Sequence, residues 1–259
     1  MPVLEGKIQI KQFDWQAVKN QSPKLHFSGQ IEQVSLEKLT KALNWQPLPG
    51  RLSGQIPGVN FADGKLTLEG GLKINVFDGE VAINKLALSG LMSDFSQFYS
   101  DVEIKNLDLQ QLTQQFSFGG MQGRVSGYVR DLYLENWQPI GFYAWLGTPD
   151  DDDSTHQISQ KAVENIASIG GGGMVDLLSR TVLKIFDNFG YDKLGLGCYL
   201  HNGVCQLMGV AAADYGYYIV KGGGLPRIDV MGYNPRIDWP VLQERLQRIT
   251  KSSSEVVVH

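Results

Sequence analysis

The sequence predicts a mainly β protein: a long antiparallel sheet, apolar on one face and polar on the other, with a few short helices. Three observations predict it. Apolar and polar residues alternate over many short runs. The turns between these runs keep the apolar residues in phase. A helix and the strand that follows it are written twice, 73 positions apart.

The alternation is clearest at 65–76, where Leu66, Leu68, Leu72, Ile74 and Val76 face away from Lys65, Thr67, Glu69, Lys73 and Asn75. Asp78-Gly79 reads as a two-residue hairpin that sets Val76 opposite Val81 and Ile74 opposite Ile83. A three-residue turn at 69–71 pairs Leu68 with Leu72. Both turns leave the apolar residues on one face, as in a one-sided antiparallel sheet.

Upstream, 7–10 and 24–34 read as strands, with Leu25, Phe27, Gly29 and Ile31 sharing a face. Ser35 caps a short helix through Leu43, with Leu36, Leu39 and Leu43 as its buried stripe and Pro47 and Pro49 ending it. Asp108 caps the second copy, with Gln111 at capping-box spacing and Leu109, Leu112 and Phe116 as the stripe. Leu36 corresponds to Leu109 and Thr40 to Thr113. Gly50-Arg51-Leu52-Ser53-Gly54 corresponds to Gly123-Arg124-Val125-Ser126-Gly127. The expected organisation is a single domain over 1–259, with repeat units at about 34–106 and 107–150.

Further strands are expected at 122–134 and 141–146, followed by a solvated acidic loop holding Asp150, Asp151, Asp152 and Asp153. A helical insert at about 158–189 has two parts. Ser159 caps the first helix, which buries Ala162, Val163, Ile166 and Ile169 and breaks at 170–173. The second, 175–188, carries Leu178, Val182, Ile185 and Phe189; it either packs on the sheet, covers the open end of the apolar face or touches a membrane surface.

A C-terminal meander and helix fill 191–251. Leu194, Leu196, Cys198 and Leu200 alternate with Gly195, Gly197 and Tyr199, and the return strand carries Cys205 and Leu207. A four-residue loop at 200–203 sets Cys198 directly opposite Cys205, which suits a cross-strand disulfide. A tight Asn202-Gly203 turn pairs Leu200 with Cys205 instead and leaves the cysteines diagonal, a geometry expected to strain the bond. Two buried free thiols are the alternative to either. The last helix starts at Asp238 or Trp239, has Pro240 in its first turn and buries Leu242, Leu246 and Ile249; 252–254 and 256–258 read as tail.

Composition excludes several function classes. Net charge is −4, which argues against nucleic-acid binding. No run approaches the roughly 20 apolar residues of a membrane span. No charged start before an apolar core marks a signal peptide. The four aspartates lack the glycine and terminal glutamate of a calcium loop. His26, His156, His201 and His259 are scattered, so no metal site is expected. Ser154, Thr155, His156 and Ser159 lack a nucleophile elbow, and the glycines at 170–173 and 222–224 lack a phosphate-loop context. No enzyme activity and no cofactor are expected.

The C-terminal stretch resembles the YdbH family of AsmA-like envelope proteins. The resemblance rests on Gly195-Leu196-Gly197-Cys198, Asn202-Gly203-Val204-Cys205, Gly216-Tyr217-Tyr218-Ile219-Val220, Gly224-Leu225-Pro226-Arg227-Ile228-Asp229-Val230 and Asn234-Pro235-Arg236-Ile237-Asp238-Trp239. It extends through Ser159-Gln160 and 170–173, and more loosely back to about Val34. The family, once described as a dicarboxylate transport domain, implies an elongated, curled β-groove that carries phospholipid between the inner and outer membranes of a Gram-negative envelope. It also implies that this chain is a C-terminal fragment of a longer, inner-membrane-anchored protein, located in the periplasm, with a small outer-membrane lipoprotein as partner.

The residues and the resemblance together give a lipid-conducting groove. Its candidate apolar residues are Leu66, Leu68, Leu72, Ile74, Val76, Val81, Ile83, Leu196 and Leu207. Alternation gives their common facing; the resemblance alone gives the lipid. Arg227 with Asp229 and Arg236 with Asp238 are either surface ion pairs or a docking edge at 225–232, where Pro226 and Pro235 suit an edge position and a partner adds a strand. The rival expectation is a structural tether whose sheet is closed by its own helices. A dicarboxylate site lacks convergent inward arginines.

Overall fold

The computed structural model describes residues 2–17, 23–42, 48–90, 95–171 and 186–251. The chain is mainly β, antiparallel, with short helices, and divides into two compact units. One comprises Met1–Lys105 and Tyr128–Phe142, the other Asn106–Gly127 and Tyr143–His259.

In the first unit β1 (Pro2–Val3), β2 (Gly6–Gln16), β3 (Lys24–Ser35), β4 (Arg51–Ala62), β5 (Lys65–Glu69), β6 (Gly71–Val76), β7 (Gly79–Ser89) and the start of β8 (Gln97–Asp108) pair in antiparallel ladders. The register shifts within β2–β3, β3–β4 and β7–β8. Each such bulge adds local twist. It also restores phase, so one face stays apolar although the alternation in sequence skips a residue.

Two turns differ from the sequence reading. The hairpin between β6 and β7 turns at Phe77 and Asp78, both at positive φ, so Val76 opposes Gly79 and Ile74 opposes Val81. Phe77 is buried, 6% exposed, and that burial draws it into a backbone region that phenylalanine seldom enters. There is no hairpin at 69–71 either. β5 and β6 lie end to end between β4 and β7, interrupted at Gly70 with φ 77°, and pair with those strands rather than with each other. Each difference leaves the apolar face intact.

α1 (Leu36–Ala42) starts where Ser35 Oγ accepts the Lys38 N–H at 3.4 Å, and it buries Leu36 and Thr40. Leu43 and Pro47 lie outside the described residues. In the second unit α2 (Leu109–Gln115) is capped by Asp108, whose Oδ1 accepts the Gln111 N–H at 2.8 Å.

The repeat reappears in the elements: α1 and α2, β3 and β8, β4 and β10 (Arg124–Glu135) each begin and end 73 residues apart. It extends further upstream than the sequence reading placed it. β2 and β7 have the same bounds after the offset, and the turn Leu4-Glu5, at φ 49° and 64°, matches Phe77-Asp78 at 50° and 56°.

The second unit holds the end of β11 (Gln138–Gly147), the short β9 (Met121–Gln122) and β12 (Gln157–Ser159), then α3 (Gln160–Ile169). Next come β13 (Asn188–His201), β14 (Val204–Gly209), β15 (Ala211–Ala213), β16 (Gly216–Gly222), β17 (Val230–Gly232), β18 (Arg236–Asp238) and α4 (Trp239–Lys251). Ser159 caps α3 as the sequence indicates. The expected second helix falls largely on 172–185, outside the described residues, together with Leu178, Val182 and Ile185. Its predicted end is strand instead: Phe189 sits on β13, 1% exposed, paired through Ile158. Its apolar side chain is spent on the core that α3 also covers. In α4, Leu242 and Ile249 are buried but Leu246 is 39% exposed. Positions 252–254 and 256–258 lie outside the described residues.

Candidate functional site

The feature that sequence alternation singles out is present in the first unit as continuous rungs of apolar side chains. In antiparallel ladders, residues directly opposite one another share a face. Trp15 opposes Leu25, Leu25 opposes Phe61, Phe61 opposes Leu66, Leu66 opposes Leu88 and Leu88 opposes Phe98. That rung crosses six strands with no polar side chain. Others run Phe13–Phe27–Val59–Leu68, Leu52–Ile74–Val81–Ile104 and Leu72–Ile83–Val102.

Burial along this face is uneven. Leu68 and Val76 are buried, whereas Leu66, Leu72, Ile74, Val81 and Ile83 are half-buried. Towards β2 the face opens: Ile10 is 53% exposed, Phe13 60% and Trp15 57%. A closed core leaves such residues only a few per cent of their surface. The opposite face is charged and polar, with Lys73 3.1 Å from Glu80 and Lys85 2.6 Å from Asp101. Such exposed pairs contribute little to stability but keep that face in water.

Leu196 and Leu207 belong to the second unit. Leu196 is half-buried. Leu207 is 6% exposed, opposite Cys198, in a core with Leu200 and Ile237, which pairs across from Cys205. Leu207 therefore packs inside a filled core and offers no surface to a ligand.

Cys198 and Cys205 form a disulfide. The hairpin takes the tight turn at Asn202-Gly203, so Leu200 opposes Cys205 and the cysteines are diagonal. Their Cα atoms are 5.6 Å apart, inside the usual range for a disulfide. Twist brings this diagonal closer than a flat ladder allows.

Of the residues placed on a docking edge, Arg227 and Asp229 lie in a loop, because within 225–232 only Val230–Gly232 is strand. Arg227 pairs with Asp229 at 3.1 Å, and Asp229 Oδ1 also accepts the Gly222 N–H at 2.7 Å. That carboxylate ties its loop to β16. Arg236 and Asp238 are exposed on β18, on either side of buried Ile237.

The acidic loop is not simply solvated. The Asp152 side chain is 3% exposed and accepts from the Arg124 N–H at 2.8 Å and the Ser154 N–H at 3.0 Å, with His156 Nε2 at 3.0 Å. Burial pushes its pKa up, but the hydrogen bonds from Ser154, Arg124 and His156 outweigh burial and hold it at about 2. His156 stacks on Tyr191 at 4.8 Å, and its Nδ1 faces the Asp192 carbonyl at 3.1 Å. Tyr191 donates to the Gln122 carbonyl at 2.6 Å, and burial, then the Asp152 charge, raise its pKa well above the usual phenol range. The cluster borders an open cleft of about 570 Å³ lined by Thr155, Asn188, Asp192 and Gly222 to Gly224. Each imidazole nitrogen thus has a hydrogen-bond partner, which fixes the ring against Tyr191.

A feature with no clear sequence signal is the seat of Trp145. A Cβ at Gly195 would lie 2.8 Å from the Trp145 ring, and one at Gly197 2.9 Å, so these glycines exist to let the indole lie flat across β13. Tyr143 and Tyr199 continue the aromatic layer with ring centres 6.3 Å apart.

Among the described residues there is no cluster of metal-ligating side chains, and no helix is long and apolar enough to cross a membrane. Compared with family models, with curated proteins and with solved structures, the chain matches none.

Proposed function

We propose that the first unit is a lipid-carrying surface, on which phospholipid acyl chains lie along the apolar sheet face while head groups remain in water. The observation that carries this reading is the rung from Trp15 to Phe98: six strands wide, wholly apolar and only partly covered. Each CH₂ removed from water contributes about 0.8 kcal/mol, so two acyl chains bind without any specific polar contact. Such a surface needs no cofactor and no reaction chemistry. The resemblance to YdbH-like proteins supplies the setting: a periplasmic conduit between two membranes, with a small outer-membrane lipoprotein as partner. The disulfide is consistent with an oxidising compartment.

A photo-crosslinking amino acid placed at Leu66 or Val81 tests the reading in cells. It is expected to capture phospholipid, whereas the same group at Lys65 or Glu80 on the polar face captures none. Equal capture from both faces, or none from either, contradicts it.

One observation favours a tether in the second unit alone. There Leu200, Leu207, Ile237 and Leu242 are all buried, so this part offers a closed body for protein contacts instead of an open face.

A further inference from the structure

The β13–β14 hairpin has two unlike faces. The inner one is the core of Leu200, Cys205, Leu207 and Ile237. The outer one is aromatic and open. Residues directly opposite one another share a face, so Tyr199, Gln206 and Arg236 form one outer rung and His201, Val204 and Asp238 the next. All of these except Val204 are exposed. Tyr143, on neighbouring β11, extends the first rung: its ring centre lies 6.3 Å from that of Tyr199, edge to face, and its hydroxyl donates to Met208 Sδ at 3.8 Å. The rings of Tyr199 and His201 are parallel to within 6°, with centres 6.0 Å apart. Trp145 adds a half-buried indole over Gly195 and Gly197, on the same side of β13 as Tyr199.

The polar groups of this face are unengaged. Arg227 and Asp229, two residues apart, pair at 3.1 Å. Arg236 and Asp238 have the same spacing and share a face, yet neither has a hydrogen bond or ion pair among the described residues, and nor has Gln206. These groups decide what fits. The rung from Trp15 to Phe98 is wholly apolar, whereas an acyl chain laid here would strip water from a guanidinium, a carboxylate and an amide without replacing its hydrogen bonds. The Arg236 and Asp238 charges cancel, so no net charge selects an ionic ligand. A sheet face is not the concave pocket that a small molecule needs. A chain of neutral sugars meets all three conditions. Its C–H faces lie on aromatic rings, whose faces carry partial negative charge. Its hydroxyls both donate and accept, so they satisfy guanidinium, carboxylate and amide together. The rung from Tyr143 to Arg236 crosses four strands, about 14 Å at the usual strand spacing, which gives room for a short run of sugar units.

We propose that the outer face of β11, β13, β14 and β18 binds an extended neutral polysaccharide, stacked on Tyr199 and hydrogen-bonded by Gln206, Arg236 and Asp238. The sugars are β-linked, as in cellulose or chitin, because that linkage keeps consecutive rings in a ribbon that follows a sheet face. The α-linkage of amylose coils the chain away from it. The face belongs to the second unit alone, so it binds sugar whether or not the first unit carries lipid.

The probes are cellotetraose and chitotetraose, with maltotetraose as the α-linked control, titrated into the full chain and followed by NMR. Cellotetraose, chitotetraose or both are expected to shift the Trp145 and Tyr199 ring signals and to bind roughly tenfold or more tightly than maltotetraose. Tyr199→Ala, at a 42% exposed position, and Arg236→Ala each weaken that binding roughly tenfold while the thermal midpoint stays at the wild-type value. Tyr215→Ala, 84% exposed at another turn, leaves binding unchanged. The proposal is overturned by a chain that binds neither β-linked sugar, by maltotetraose binding as tightly, or by shifts confined to other residues. In the first case, phosphatidylcholine vesicles that shift the same signals assign the face to a membrane, and shifts that disappear on dilution assign it to a second copy of the chain.

Discussion

Thr40 and Thr113, 73 residues apart, make the same three hydrogen bonds. Each hydroxyl donates to the carbonyl four residues back, Leu36 at 2.8 Å and Leu109 at 2.7 Å. Each accepts the N–H eight residues on, Leu48 at 3.2 Å and Met121 at 3.3 Å. Each also approaches the carbonyl three residues back. Around them Arg51 Nη1 donates to the Gln33 carbonyl as Arg124 Nη1 donates to that of Asn106. The repeated letters thus encode a repeated polar joint between helix and strand.

Thr113→Val keeps the shape of that joint but leaves the Met121 N–H without its acceptor in a buried position. The expected cost is about 1–2 kcal/mol in denaturant unfolding, with Thr113→Ser nearer to wild type. Equal stability of the valine and wild-type chains would show that the joint is decorative.

Asp152 makes stability depend on acid. Its folded pKa of about 2 lies below the 3.8 of an ordinary aspartate, so its contribution is fully present above about pH 4 and is lost as pH falls through 2. The depression corresponds to about 2 kcal/mol. Wild type is therefore expected to lose stability more steeply than Asp152→Asn between pH 4 and 2. Parallel curves in that window contradict the assignment.

The disulfide closes a short loop, with a sequence separation of 7. Its removal is expected to cost about 2 kcal/mol, chiefly through the unfolded chain. Chemical denaturation of the Cys198→Ala, Cys205→Ala chain against the oxidised wild type measures this. Identical midpoints would contradict it.

Tyr217 is 6% exposed, and its hydroxyl has no partner among the described residues; burial pushes its pKa up to about 12. Tyr217→Phe removes an unsatisfied donor and is expected to match or exceed wild-type stability. A loss above about 1 kcal/mol by thermal unfolding would reveal a bond from that hydroxyl.

What could be read from the sequence was local. The alternation from Leu66 to Ile83, the caps at Ser35, Asp108 and Ser159, and the matched threonines are each written within a few residues of one another. What could not be read depended on distant partners. Phe77 enters a left-handed turn because the core holds its ring. Gly70 interrupts a strand instead of turning it because β4 and β7 flank both halves. Asp152 is buried by Arg124, His156 and Tyr191, which no spacing rule connects. Gly195 and Gly197 take their place in the alternation of a strand, but only the structure shows Trp145 lying on them. The apolar rungs were legible as a shared facing, but the openness near Ile10, Phe13 and Trp15 was not, since 13 and 15 follow a bulge that breaks the simple alternation.

Native mass spectrometry after incubation with phospholipid vesicles tests the lipid-carrying face most directly. The wild-type chain is expected to retain phospholipid, and Leu66→Asp with Leu72→Asp, both at half-buried positions, to emerge without it while remaining folded. A wild-type chain that emerges bare, or a double variant that holds as much lipid as wild type, contradicts the account.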